Sequence, residues 1–242
     1  MIVLKNQLTT EDIRLDRIAQ FDERSRRFPV KTTLEKKEWR SYTWRCEQWF
    51  DQGREGACVA YALAHECAAR PAETRGMHDK WLKEDVYWEA QKIDPWPGGS
   101  YPGASPFYEG TSVLAGVKIL HKKNFFREYR WAFGIEDLIL GVGYNGPAVI
   151  GVNWYHDMYF PDENGMISKS GSLLGGHAVL VRGVDLNNET VTIRNSWGQN
   201  WGDNGDCYMK IHELESLLHE NGEAVFFMDR ETVPMVPYSF GL

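Results

Sequence analysis

The sequence predicts an α+β fold, in which a helical half comes first and an antiparallel, β-rich half follows, with a cleft between them. Apolar, helix-favouring runs dominate the chain from residue 58 to about residue 122. A loop rich in proline and glycine, residues 94–103, interrupts them. After Pro147 the pattern changes to short runs rich in β-branched and aromatic residues, which is typical of strands.

The first 38 residues are polar and charged, with weak periodicity. We expect residues 1–38 to form an N-terminal arm that docks on one domain, residues 39–242. Within that domain we expect a helical lobe at about 39–116 and a β-rich lobe at about 117–235.

Helix signals divide the helical half. One apolar run begins at Cys58 and is stopped by Pro71, which places Cys58 at the N-terminus of a buried helix. Thr111 or Ser112 is a suitable N-cap for a later helix. The remaining helices are predicted over residues 80–93, 113–122 and 135–140.

Strand signals follow Pro147 and are bounded by turn residues. Asn187 and Asn188 predict a hairpin turn, because asparagine tolerates positive backbone dihedrals. The strands are predicted over residues 148–153, 177–184, 190–194, 207–211 and 224–228.

Composition limits the function classes. The 242 residues carry a net charge of -7, which argues against binding to a nucleic-acid backbone. No run approaches the ~18 apolar residues that cross a bilayer, and the N-terminus lacks the apolar stretch of a secretory signal. We therefore expect a cytoplasmic protein without nucleic-acid or membrane partners, and we leave open its delivery by a specialised system or a virion.

The cysteines are spaced in a way that does not suit a metal. None of the four forms a C-x-x-C pair, and no histidine cluster completes a zinc site. We expect neither a metal nor a cofactor. If Cys58 is a free nucleophile, at most one disulfide remains among Cys46, Cys67 and Cys207, which favours a reducing compartment.

Three segments carry residues suited to acyl chemistry: Gln52 to Cys58, Gly175-Gly-His177, and Asn195-Ser-Trp197-Gly. A thiolate attacks acyl carbons, and both a helix N-terminus and a nearby imidazolium favour the anion. With these segments in the order Cys, His, Asn, residues 40–230 resemble the papain family of cysteine peptidases, in the form with little pro-segment known from bacteria and phages.

The resemblance implies a two-lobed papain-like fold with the active site between the lobes, and hydrolysis of protein or peptide substrates through a thioester at Cys58. It implies that His177 is the general base and acid and that Asn195 orients it. It also implies that Gln52 and the Cys58 backbone N–H form the oxyanion hole, and that Trp197 covers the His–Asn contact.

Two features resemble the family less closely. Glu55-Gly-Ala-Cys58-Val59 departs at both ends from the signature C-G-[SA]-C-[WY], although no catalytic group is lost. Tyr108-Glu-Gly110-Thr resembles the segment that pairs with substrate backbone, so Gly110 and Trp197 are the candidate substrate-binding residues. A turn before a helix is the alternative interpretation of Gly110. With 57 residues before Cys58, we expect no full inhibitory pro-segment.

Other interpretations stay open. A cysteine in an alanine-rich helix is usually a small core residue, and we keep that interpretation for Cys67. An acyl transferase or transpeptidase would use the same thioester. A non-catalytic papain-like binding module would keep the cleft, but the complete set of Gln52, Cys58, His177 and Asn195 argues against it.

Overall fold

The structure is a computed structural model that describes residues 3, 4, 12, 14–34 and 36–230. Its helices are α1 (Cys58–Ala68), α2 (Asp79–Trp81), α3 (Trp88–Ile93), α4 (Val113–Lys122), α5 (Ile135–Tyr144) and α6 (Ile211–His219). A π-helical segment, Leu82–Tyr87, joins α2 to α3. The strands are β1 (Val3–Leu4), β2 (Ala19–Gln20), β3 (Tyr42–Thr43), β4 (Glu128–Ala132), β5 (Ala148–Tyr155), β6 (Leu173–Asp185), β7 (Thr190–Arg194), β8 (Asp206–Lys210) and β9 (Glu223–Met228).

An antiparallel sheet organises the second half of the chain. Within the described ranges it has seven strands, in the order β4-β9-β5-β6-β7-β8, and β3 pairs with β6. Two short strands of the first 20 residues, β1 and β2, form a separate antiparallel pair. The predicted α+β class is confirmed.

Helices pack on both faces of this sheet. One apolar cluster joins α1 and α4 to one face, and a second joins α5 and α6 to the other. The central strands β5 and β6 are buried along most of their length, which explains their nearly continuous apolar runs. The N-terminal end of α1 therefore lies against a rigid sheet, at β6.

The predicted elements agree with the structure most closely where the sequence carries a cap or a breaker. Helix α4 has the predicted bounds, and the Ser112 hydroxyl accepts a hydrogen bond from the Ala115 N–H at 3.1 Å. The helix predicted over 80–93 is interrupted by the π-helical segment. Strands β1 to β4 and helix α6 were missed. Helix α6 directly follows β8 and has no side-chain cap, so the sequence does not mark its start.

The hairpin between β6 and β7 forms as predicted, but its conformation differs from the expectation. The positive φ belongs to Glu189 (φ 54°) and not to Asn187 or Asn188. The Asp185 carboxylate accepts hydrogen bonds from the backbone N–H groups of both asparagines, at 2.9 and 3.3 Å, and so forms the turn. The lobe boundary expected near residue 116 stays a prediction, and α4 runs through it.

Candidate active site

Cys58 is the first residue of helix α1 and is fully buried. The backbone N–H groups of Ala178 and Val59 hydrogen-bond to its sulfur and favour the thiolate, as does the positive end of the helix. Burial outweighs them and raises the pKa of the thiol to about 12. Cys58 is therefore a neutral thiol in this conformation.

His177 lies on β6, directly before Ala178, and Asn195 directly follows β7. The imidazole Nε2 and the Asn195 Oδ1 are 2.8 Å apart. The same Oδ1 accepts the Ser196 backbone N–H at 2.8 Å, which identifies it as the amide oxygen and places the imidazole proton on Nε2.

The other ring nitrogen of His177, Nδ1, has no partner at normal hydrogen-bond geometry among the described residues, although the Arg14 backbone interacts with the ring and favours its protonated form. Burial lowers the pKa of His177 to about 4, so the ring is neutral. In the tautomer set by Asn195, Nδ1 is an unprotonated base. The ring thus has the protonation state that a general base needs.

Two tryptophans hold the imidazole. Trp197 stacks on His177 with ring centroids 5.0 Å apart, and Trp154 meets it edge-on at 4.8 Å. Sequence reasoning missed Trp154. The signal was alternation along β5, where Val152 pairs with His177 and Trp154 lies two residues later on the same face.

Gln52 is buried and tied to the segment after β7. Its Oε1 accepts the Ser196 hydroxyl at 2.7 Å, and its backbone N–H donates to the Ser196 carbonyl at 2.9 Å. Its Nε2 donates to the carbonyls of Glu55 at 2.7 Å and Arg14 at 3.3 Å. The amide is thus fixed, with a donor aimed at a carbonyl oxygen of the arm.

Gly110 lies in the opposite wall of the cleft, where its φ of 89° suits glycine. The Tyr87 hydroxyl accepts the Gly110 N–H at 2.7 Å and donates to Glu109 Oε2 at 2.9 Å. The Gln91 side chain donates to the Gly110 carbonyl at 3.0 Å. Tyr87 and Gln91 were missed, and their four-residue spacing on one helical face was the available signal.

Residues 14–18 of the arm lie in the cleft between these walls. The Arg17 N–H donates to the Gly176 carbonyl and the Ile18 N–H to the Thr111 carbonyl, each at 3.0 Å. A Cβ on Gly110 would lie 1.8 Å from the Asp16 carbonyl oxygen, and one on Gly176 would lie 2.3 Å from that of Arg17. At Gly110 and Gly176 the arm backbone therefore passes where the walls have no side chain.

Side chains anchor this segment at both ends. The Arg17 guanidinium donates to Glu223 Oε1 at 2.6 and 3.1 Å, and both side chains are only 2% exposed. The Arg14 guanidinium lies over the Trp197 ring, 4.6 Å from its centroid, and pairs with Asp12. Cys58 and His177 are both 0% exposed, so the described conformation is a closed site.

The predicted site residues fall into three places. Gln52, His177, Asn195 and Trp197 form one hydrogen-bonded and stacked group. Cys58 contacts the backbone N–H of Ala178, the residue after His177. Gly110 lies on the other side of the arm from this group. Over the described part of the chain, no cluster of three or more His, Cys, Asp or Glu side chains could hold a metal ion. No helix in those ranges is long and apolar enough to cross a membrane.

Comparison with known proteins identifies a family that matches part of the chain and solved structures of similar fold. Residues 120–224, which include His177 and Asn195 but not Cys58, match the model described as "Papain family cysteine protease". Xylellain, a cysteine protease from Xylella fastidiosa, is 22% identical with a TM-score of 0.69, over 95% of this chain and 100% of its own.

Two further solved structures are similar in fold. Digestive procathepsin L 3 of Tenebrio molitor is 16% identical with a TM-score of 0.61, over 90% of this chain and 77% of its own. A cysteine protease of Carica candamarcensis is 18% identical with a TM-score of 0.51, over 79% of this chain and 99% of its own. The chain therefore has the papain-like fold, and its residues 120–224 match the papain family of cysteine proteases.

Proposed function

We propose that the chain is an endopeptidase that cleaves protein or peptide substrates through a thioester at Cys58. The observation that carries the proposal is the 2.8 Å contact between His177 Nε2 and Asn195 Oδ1, which leaves Nδ1 as an unprotonated base. A cysteine at a helix N-terminus, hydrogen-bonded by the residue that follows His177 on the same strand, is the matching nucleophile.

The reaction has two steps. The Cys58 sulfur attacks the scissile carbonyl carbon, His177 takes the thiol proton and gives it to the leaving amine, and the C–N bond breaks as the thioester forms. Water then attacks the thioester carbon and gives a proton to His177; the C–S bond breaks, the product leaves with a new carboxyl terminus, and the proton returns to the sulfur. Asn195 keeps the ring in one tautomer during both transfers.

Gln52 and the backbone N–H of Cys58 are the proposed oxyanion donors. Support comes from the arm, because the Arg14 carbonyl oxygen lies 3.3 Å from Gln52 Nε2. A substrate carbonyl in that position would receive the same donor. Gly110 and Trp197 are proposed to contact the substrate, since the arm backbone and the Arg14 side chain already occupy these two places.

Turnover requires that residues 14–18 leave the cleft, because Cys58 and His177 have no exposed surface beneath them. Exposure to water removes the burial that keeps both groups neutral. We expect the thiolate–imidazolium pair to form in this open state. We further propose a cytoplasmic location, which is supported by four cysteines that are all unpaired.

The proposed reaction is tested by mass spectrometry of a peptide library digested in H₂¹⁸O with an added amine. Endopeptidase activity places one ¹⁸O in each new carboxyl terminus, at internal positions of the peptides. Peptides ligated to the amine would instead indicate an acyl transferase. Intact peptides at every pH, with Cys58 unmodified, would indicate a binding module.

A further inference from the structure

We propose that a proton held by Asp16, beside Glu109 at the arm–cleft contact, keeps residues 14–18 in the site, and that loss of this proton is the signal that releases them. The arm closes the cleft while Asp16 is protonated, and it opens when the Asp16 carboxyl ionises. Arm opening is a conformational equilibrium, and so it does not depend on which reaction Cys58 performs.

The two carboxyls meet beside Gly56, two residues before Cys58. Asp16 Oδ2 and Glu109 Oε2 each lie 2.9 Å from the position that a Cβ on Gly56 would take. Asp16 belongs to the arm and Glu109 to the cleft wall. Repulsion between two ionised carboxylates would therefore act directly across the contact that closes the site.

The surroundings hold Glu109 in place and leave Asp16 without a donor. Glu109 Oε2 accepts the Tyr87 hydroxyl at 2.9 Å and the Gly56 N–H at 3.3 Å. Among the described residues, no side chain or backbone N–H donates a hydrogen bond to the Asp16 carboxyl. Asp12, in the arm, adds a further negative charge.

Nearby cations are committed to other carboxylates. Arg17 is paired with Glu223, Arg14 with Asp12, and Lys83 with Glu55. Cys58 and His177, which line the cleft floor, are neutral in the closed site. Within the described residues, the Asp16–Glu109 pair therefore has no cation of its own.

The sign of the effect follows from the two states of Asp16. Burial, with the charges of Glu109 and Asp12, raises its pKa to about 7 in the closed site. In a released arm the pKa returns to about 3.9. Between these values the closed form holds a proton that the open form has lost, so closure weakens as pH rises from about 4 to about 7. Below and above this window Asp16 contributes no pH dependence.

Two other groups at the contact titrate as well. Burial lowers the pKa of His177 to about 4 in the closed site, whereas an exposed histidine has a pKa near 6.5. As pH falls below about 6.5, the open form therefore gains a proton first, so His177 favours opening at low pH, the opposite direction from Asp16. Burial also raises the pKa of Glu223, whose protonation would weaken its pair with Arg17. These contributions remain when Asp16 is replaced, so a comparison with Asp16→Asn cancels them.

The test is hydrogen exchange of the Ile18 amide between pH 4 and 8. This amide is bonded to the Thr111 carbonyl only while the arm is closed, and it is far enough from Asp16 to keep its intrinsic exchange rate. The two proteins compared are Cys58→Ala and Cys58→Ala with Asp16→Asn, which excludes turnover and self-cleavage from the readout. Cys58→Ala with Glu23→Gln is the matched control, because Glu23 is an exposed carboxyl elsewhere in the arm.

The exchange rate of the protein that keeps Asp16, divided by the rate of the Asp16→Asn variant, should be about two at pH 4, where half of the released Asp16 carboxyls are ionised. This ratio should rise by up to about tenfold per pH unit and level off above about pH 7. The Glu23→Gln control should give a flat ratio. In protein that keeps Asp16, Glu109→Gln should lower the pH at which the ratio levels off, because it removes a charge that raises the closed-state pKa of Asp16. A flat ratio for Asp16→Asn, or an Ile18 amide without protection at pH 5, would overturn the proposal.

Discussion

The two ends of helix α1 each bury a cysteine, but among different groups. At the N-terminal end, Cys58 receives two backbone N–H groups and is covered by a segment of the arm. Near the C-terminal end, Cys67 lies beside the buried Glu66–Arg230 pair, in which Arg230 Nε donates to Glu66 Oε1 at 2.8 Å. Burial raises the pKa of both thiols.

Burial of a thiol therefore does not identify its role. The cover over Cys58 is a strap with backbone contacts to two glycines, and removing it would open the cleft. The cover over Cys67 is the core of the helical half. Two features separate the cysteines. Water would reach Cys58 first once the arm leaves, and only Cys58 lies beside the strand that carries the His177 imidazole.

The largest expected difference between the two ends is in turnover. Cys58→Ala should reduce peptide cleavage by more than about 10⁴-fold, because it deletes the nucleophile and leaves a good helix former. Cys67→Ala should keep turnover within a few-fold. If both variants lost the same activity in a cleavage assay on folded protein, Cys58 would have no role in turnover that Cys67 lacks.

The C-terminal end should instead dominate stability. Arg230→Ala leaves the Glu66 carboxylate buried without its partner, which should cost about 3–5 kcal/mol in the free energy of unfolding by urea. Arg70→Ala is the matched control, since Arg70 pairs with Glu73 at the surface and should cost about 0–1 kcal/mol. Similar costs for the two variants would contradict a structural role for this end.

Removal of the proposed oxyanion donor, Gln52, should reduce turnover less than removal of the nucleophile does. Gln52→Ala should lower kcat by about 10² to 10³-fold, while KM changes less. Gln48→Ala removes an amide that donates to the Thr74 carbonyl outside the site, and kcat should stay unchanged. An unchanged kcat in Gln52→Ala would remove this residue from the proposed mechanism.

Local signals account for most of what the sequence predicted correctly. Pro71 and the apolar run before it located α1 with Cys58 at its start, and Ser112 located the start of α4. The grouping of Gln52, His177 and Asn195 depended on family resemblance, because their contacts span many residues and no local signal joins them. Their catalytic roles stay predictions.

The closed state of the site lay beyond sequence reasoning. The arm segment is polar and has only weak periodicity, and many of its contacts use backbone groups, which any sequence supplies equally. The thiolate–imidazolium pair was expected without the arm, whereas burial beneath the arm keeps both groups neutral. Docking of the arm was predicted, but its position over Cys58 was not.

The claim that a removable arm covers Cys58 is tested most directly by iodoacetamide labelling of Cys58 and Cys67. Labelling is followed against pH in Arg17→Ala and in the unsubstituted protein. Loss of the buried pair with Glu223 should open the arm and raise labelling of Cys58 by roughly 10²-fold. Arg45→Ala, which breaks only exposed pairs, is the control. We expect Cys58 in Arg17→Ala to react well below pH 8.5, the range of an ordinary thiol, while Cys67 stays unreactive in folded protein. Labelling of Cys58 that is as slow as that of Cys67, or that begins only near pH 8.5, would contradict the claim that a removable arm covers an activated nucleophile.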